Sequence, residues 1–146
     1  MHAVLRPLLL ATVLLLGLSA CQSSSQNAAA VTLENNYWKL VELNGKTVAV
    51  IDNQSEPHLI LQSEAHRVAG SGGCNRIMGS YAIKGSTVFF QQMASTMMFC
   101  AEGMETERVF LQTLEGEKRW ATDSDSLTLT DKQGVIVARF KVVYLR

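Results

Sequence analysis

The sequence predicts an α+β domain: a small, mostly antiparallel curved β-sheet, partly barrel-like, with one helix packed on it. Two observations carry this expectation. From Tyr37 onward, short runs rich in β-branched and aromatic residues are punctuated by Gly, Asn and Asp turn signals. One stretch, AEGMETERVFLQTLEGEKRW from Ala101 to Trp120, carries a helical pattern instead. Once the N-terminal segment is set aside, the chain is long enough for one domain with a modest core.

The elements follow in order. NYWKLVEL places Trp38 and Leu40 on one strand face, and Asn44-Gly45 is a hairpin signal ahead of KTVAV. PHLILQ opens a strand at Pro57, where a missing N–H does least harm, and HRVAGSGG returns antiparallel to it. GSYAIKGSTVFFQQ reads as two strands about a turn at Lys84-Gly85-Ser86. In the helical stretch, Met104, Leu111 and Leu114 lie near one face with Phe110 beside them. Glu102, Glu105 and Glu107 suit a helix start, and Lys118 and Arg119 suit its end. Most acids of this stretch, including Glu115 and Glu117, are expected to be solvated. SLTLTDKQGVIVARFKVVYL is a hairpin over Asp131–Gly134, with Ile136, Ala138, Phe140 and Val142 alternating along its second strand.

The N-terminus points to a compartment. MHAVLRPLLLATVLLLGLSAC has one cation, Arg6, before an apolar run from Leu8 to Leu18. A helical bilayer span needs roughly 20 apolar residues, so this run fits the core of a secretory signal instead. The closing Leu18-Ser19-Ala20-Cys21 resembles the bacterial lipobox, whose cysteine is acylated and becomes the new N-terminus. The resulting division is 1–20 signal peptide, 21–34 lipidated flexible tether and 35–146 folded domain. Gln22 follows the cysteine where an aspartate would retain the protein at the inner membrane. By resemblance to sorted lipoproteins, the expected place is the outer membrane, facing the periplasm. Two or three acyl chains anchor stably where one is marginal.

Charge and cysteine count narrow the partners. The whole chain carries 13 basic and 13 acidic side chains, and removal of the signal takes away Arg6 alone. A nearly neutral domain without a basic run argues against nucleic acid or an anionic lipid surface as main partner. The expected associations are the membrane, through the N-terminal lipid, and an envelope protein, with the domain itself monomeric. Of three cysteines, Cys21 is taken by lipid, leaving Cys74 and Cys100 in an exported domain where disulfides persist. The pair is expected to bond.

GSGGCNRIMGSY, from Gly70 to Tyr81, invites chemical readings. It lacks the lysine and hydroxyl of a P-loop, and Asn75 stands where the dinucleotide fingerprint needs glycine. Its glycines suit a bulge or tight bend. A nucleophilic Cys74 needs a nearby base, with His66 and Asn75 as the candidate companions, but adjacent Cys and Asn on a strand point to opposite faces. No zinc spacing is present, and no catalytic residue, cofactor or metal is assigned. Met93, Met97, Met98 and Met104 flank Cys100, which leaves copper(I) as an alternative to packing.

Several spaced motifs taken together resemble the META/HslJ family. Trp38, Leu40 and Gly45 match its opening strand. Gly70, Gly73, Cys74, Asn75, Gly79 and Tyr81 match its G-x-x-G-C-N-x-x-x-G-x-Y pattern, and Thr96, Met98 and Cys100 match T-x-M-x-C. The resemblance implies a small β-rich domain with one helix, found often as a bacterial lipoprotein and associated with heat shock, envelope stress and antibiotic tolerance. It implies no established reaction. The expected function is that of a non-enzymatic envelope lipoprotein acting by binding a protein or envelope component. The alternative is a small-ligand or copper(I) module using the concave sheet face or the Met/Cys cluster.

Overall fold

The computed structural model describes residues 31–144. The expected signal peptide and the Cys21 acylation site lie outside these residues. Nine strands and one helix are present among them, and every strand pairing is antiparallel. In chain order the strands are β1 Tyr37–Leu43, β2 Lys46–Thr47, β3 His58–Gln62, β4 Arg67–Ser71, β5 Arg76–Lys84 and β6 Thr87–Ser95. The helix α1, Met104–Leu114, precedes β7 Gly116–Asp123, β8 Ser126–Thr130 and β9 Ile136–Val143.

The sheet is ring-like. Its order is β2-β1-β3-β4-β5-β6-β7-β8-β9, and β1 pairs with β9 as well, from Tyr37 opposite Val143 to Leu43 opposite Ala138. The strand β2 is a short spur on β1. Closure leaves few free edges for unwanted pairing. Alternation then sorts the side chains, with Trp38, Leu40, Leu59, Leu61, Ile77, Val88, Phe90, Leu127, Leu129 and Phe140 all buried. Burying a side chain of this size stabilises the fold by about 1.5–3 kcal/mol.

Each end of the ring is covered. The helix lies over one end, where Phe110 meets Phe140 with ring centroids 6.1 Å apart and Thr113 accepts a hydrogen bond from Asn44 beside the β1–β2 turn. At the other end the chain enters through residues 31–36. There Leu33 is buried, Trp38 Nε1 donates to Leu33 O, Asn35 N donates to Leu61 O, and the Tyr81 hydroxyl donates to the Glu34 carboxylate. Leu33 and Glu34, assigned to the tether from sequence, are therefore packed parts of the fold.

Two further expectations need correction. The helix stops at Leu114: the backbone leaves helical geometry at Glu115 (ψ 134°), Gly116 follows with φ 83°, and Lys118 and Arg119 lie in β7. Lys118 does serve the helix end, but from that strand, its Nζ donating to Glu115 O at 2.6 Å. Burial holds its ammonium below the usual lysine value. The second correction concerns Cys74 and Asn75. They sit in the loop between β4 and β5, not on a strand, so the opposite-face expectation does not govern them.

Candidate functional site

The residues of the Gly–Cys–Asn motif are gathered at the helix-covered end of the ring, where residues 72–75 meet the segment running from β6 into α1. The loop is first fixed on itself. Gly73 N donates to Ser71 Oγ at 3.0 Å, Ser71 Oγ donates to Asn75 O at 3.2 Å, and Gly72 N donates to Asn75 O at 2.9 Å. A Cβ at Gly72 would stand 2.3 Å from Glu107 Cγ, so glycine is what allows the helix to lie on this loop. One strand earlier, a Cβ at Gly70 would stand 2.3 Å from His58 O. Gly79 faces the β6 bulge at Gln92 (φ 52°), where the β5–β6 register shifts.

Asn75 is the centre of the arrangement and is 1% exposed. Its Nδ2 donates to Glu107 Oε1 at 2.8 Å and to Met98 O at 3.1 Å. Its Oδ1 accepts from Met98 N at 2.7 Å and Thr96 Oγ1 at 2.8 Å. All four hydrogen-bonding positions of the side-chain amide are filled. The amide thus pairs with Met98 as a neighbouring strand would. The backbone adds a fifth link, Asn75 N donating to Glu107 Oε2 at 2.7 Å. Thr96 then accepts from Arg76 N at 3.2 Å and donates its own N–H to Arg76 O at 3.1 Å.

A covalent link runs beside these bonds. Cys74 and Cys100 form a disulfide, with Cα atoms 6.0 Å apart. The sulfur of Cys74 is therefore not a free thiol. His66 belongs to the turn before β4, at the opposite end of the ring, where its imidazole lies 5.7 Å from the Tyr81 ring. The Cys–His–Asn set considered from sequence does not assemble.

Of the motif residues, Cys74, Asn75, Thr96, Met98 and Cys100 converge, while Tyr81 belongs to the other end. Burial, then its bond to Glu34, raises the Tyr81 hydroxyl pKa. Sequence reasoning missed Glu107. Its first-turn position signalled only a favourable dipole placement, yet it is 4% exposed and takes two hydrogen bonds from Asn75. It is the exception to the expected solvation of the helix acids.

The chain from Thr96 to Cys100, held from beneath, carries an apolar tip. Met97 is 98%, Met98 59% and Phe99 88% exposed. Met93 packs instead against the core. Side chains of the core cluster occupy the concave face. A surface groove of about 320 Å³ lies between the β1–β2 turn and α1, lined by Leu43, Lys46, Val48, Glu105 and Val109. Among the described residues, no group of three or more His, Cys, Asp or Glu side chains is placed to hold a metal ion.

A second polar cluster stands on the outside of β1 and β3. Tyr37 stacks on His58 at 4.2 Å, and Lys39 Nζ meets Glu56 at 2.6 Å. Burial, then the neighbouring Glu56 carboxylate, pushes the Tyr37 hydroxyl up to about 12. The bond to Lys39 holds Glu56 below the usual carboxylate value.

Comparison with known proteins agrees with this geometry. A family model described as META domain matches residues 31–144. Two solved structures are similar. One, the NMR structure of a protein, is 23% identical with a TM-score of 0.60, the match covering 75% of this chain and 91% of that one. The other, the NMR structure of a protein from Burkholderia xenovorans, is 25% identical with a TM-score of 0.59, over 76% of this chain and 83% of that one. No curated protein matches significantly.

Proposed function

Starting from the fact that this chain belongs to the META domain family, we propose that it is a non-enzymatic envelope lipoprotein with a stress-related role. In this reading it is held by acylated Cys21 in the outer membrane, faces the periplasm and acts by binding a protein or envelope component. The observation that carries the reading is how the motif residues are used. Cys74 and Cys100 are joined, and the Asn75 amide has no hydrogen-bonding position left for a substrate. A motif of this kind presents a surface more readily than it performs a reaction. The lipobox-like Leu18–Cys21 and the uncharged run from Gln22 to Thr32 support the anchored placement.

Two measurements test this. Mass spectrometry of the protein extracted from membranes should find an acylated Cys21 at the N-terminus, and an unmodified or uncleaved N-terminus would refute the anchor. Crosslinking in the periplasm should then give a discrete adduct, whereas recovery of monomer alone refutes the binding role.

A further inference from the structure

Building on the lipid-anchored reading, we propose that the tip Met97–Met98–Phe99 seats in the surface of the same bilayer that holds Cys21. The domain is then docked by its helix-covered end. Three large apolar side chains in a row stand in solvent here, at 98%, 59% and 88% exposure. No charged residue occurs from Met93 to Ala101.

Part of the tip's backbone is already satisfied within the protein. A chain entering an apolar phase must have its N–H and C=O groups satisfied internally. At Met98 both are taken by the Asn75 side chain, and Thr96 N is taken by Arg76 O. Asn75 and the Cys74–Cys100 bond also hold the segment in place, so entry orders little chain.

The geometry of attachment permits it. Val31 is at one end of the ring and the tip at the other, separated by roughly the length of β1, about 23 Å for seven residues. The ten residue steps from Cys21 to Val31 reach about 35 Å when extended, enough for the domain to invert onto its own membrane. Such a tether keeps the tip at high effective concentration near the lipid, so a shallow contact suffices. A convex tip suits lipid better than a protein groove. Its neighbours in chain and register, Glu102 and Arg76, are charged and exposed, whereas a standard protein interface needs roughly 800 Å² of contact on each side. Insertion through apolar side chains also needs no basic patch, in keeping with the near-neutral charge.

The test uses the full lipidated protein in phosphatidylcholine vesicles whose acyl chains are brominated, with fluorescence of two separate variants. F99W places a reporter at the tip, and Y144W places one at the opposite end, where β9 finishes. The emission added by F99W should shift to the blue and fall to about half relative to plain vesicles, as expected for a ring at the headgroup–acyl boundary. That added by Y144W should be unchanged. M97S/M98S in the F99W background should reduce the quenching. No quenching of F99W overturns the proposal and leaves the tip to a protein partner. Quenching of Y144W in place of F99W overturns it too, because the domain then stands upright. Mass of the Cys21 peptide is read separately: acylated but unquenched protein refutes insertion alone, and unacylated protein refutes the anchor and insertion together.

Discussion

Asn75 gives both its backbone N–H and its side-chain amide to the two oxygens of Glu107, 32 residues away in the chain, at 2.7 and 2.8 Å. This fork joins the β4–β5 loop to the first turn of the helix. Asn75→Ala leaves Glu107, Thr96 and Met98 short of partners together, and should cost about 2–4 kcal/mol in urea unfolding. Glu107→Gln retains the shape but offers one acceptor oxygen instead of two, and should cost less. A double-mutant cycle should find the two residues coupled by about 1–2 kcal/mol, and additive losses would show that the fork contributes little.

Removing the disulfide should weaken the fold without abolishing it. By the chain-entropy account, freeing a loop of 26 residues costs about 3–4 kcal/mol. The Asn75 bonds to Thr96 and Met98 remain, so the Cys74→Ser, Cys100→Ser double variant should keep its far-ultraviolet circular dichroism and unfold at lower urea. Complete loss of that spectrum would show that the hydrogen bonds depend on the covalent link.

Gly72→Ala tests the closeness of helix and loop. The added methyl would meet the Glu107 side chain at Cγ and Cβ, and overpacking of this kind costs about 1–3 kcal/mol. In a Glu107→Ala background the same substitution should cost less, since the nearest obstructing atom is gone. Thermal melts of the four proteins decide it.

Two tyrosines should make the fold sensitive to alkali. The Tyr37 hydroxyl is pushed from 10 up to about 12, and that of Tyr81 is also raised, so the folded protein favours their protonated forms. Their stabilising contribution is therefore complete below pH 10 and is lost as pH rises from 10 through about 12. The urea midpoint should fall over that window, and Tyr37→Phe with Tyr81→Phe should flatten the fall. An unchanged slope in the double variant would assign the loss to other groups.

The parts of the fold that were legible in the sequence are those specified locally. Asn44-Gly45 turns between β1 and β2 with φ of 47° and 78°, and Gly85 and Gly134 mark two further turns with positive φ. The strand β7 was not legible. The cations Lys118 and Arg119 follow a helix and match its dipole, so the pattern continued while the backbone left helical geometry at Glu115 and Gly116. The Cys74–Cys100 pairing needed only counting and a compartment. The Asn75–Glu107 fork needed contact between segments 32 residues apart, which neither periodicity nor spacing encodes. Phe99 drew no attention, because exposure of an apolar side chain is a property of the finished surface.

The pairing of β1 with β9 has a consequence for the timing of folding. The first strand finds its longest partner in Ile136–Val143, the last of the described strands. A growing polypeptide that lacks these residues leaves the β9-facing sides of β1 and β8 open at once. Closure must therefore wait until β9 has been made, and contacts this distant in sequence form slowly. Until then the ring stays open between β8 and β1.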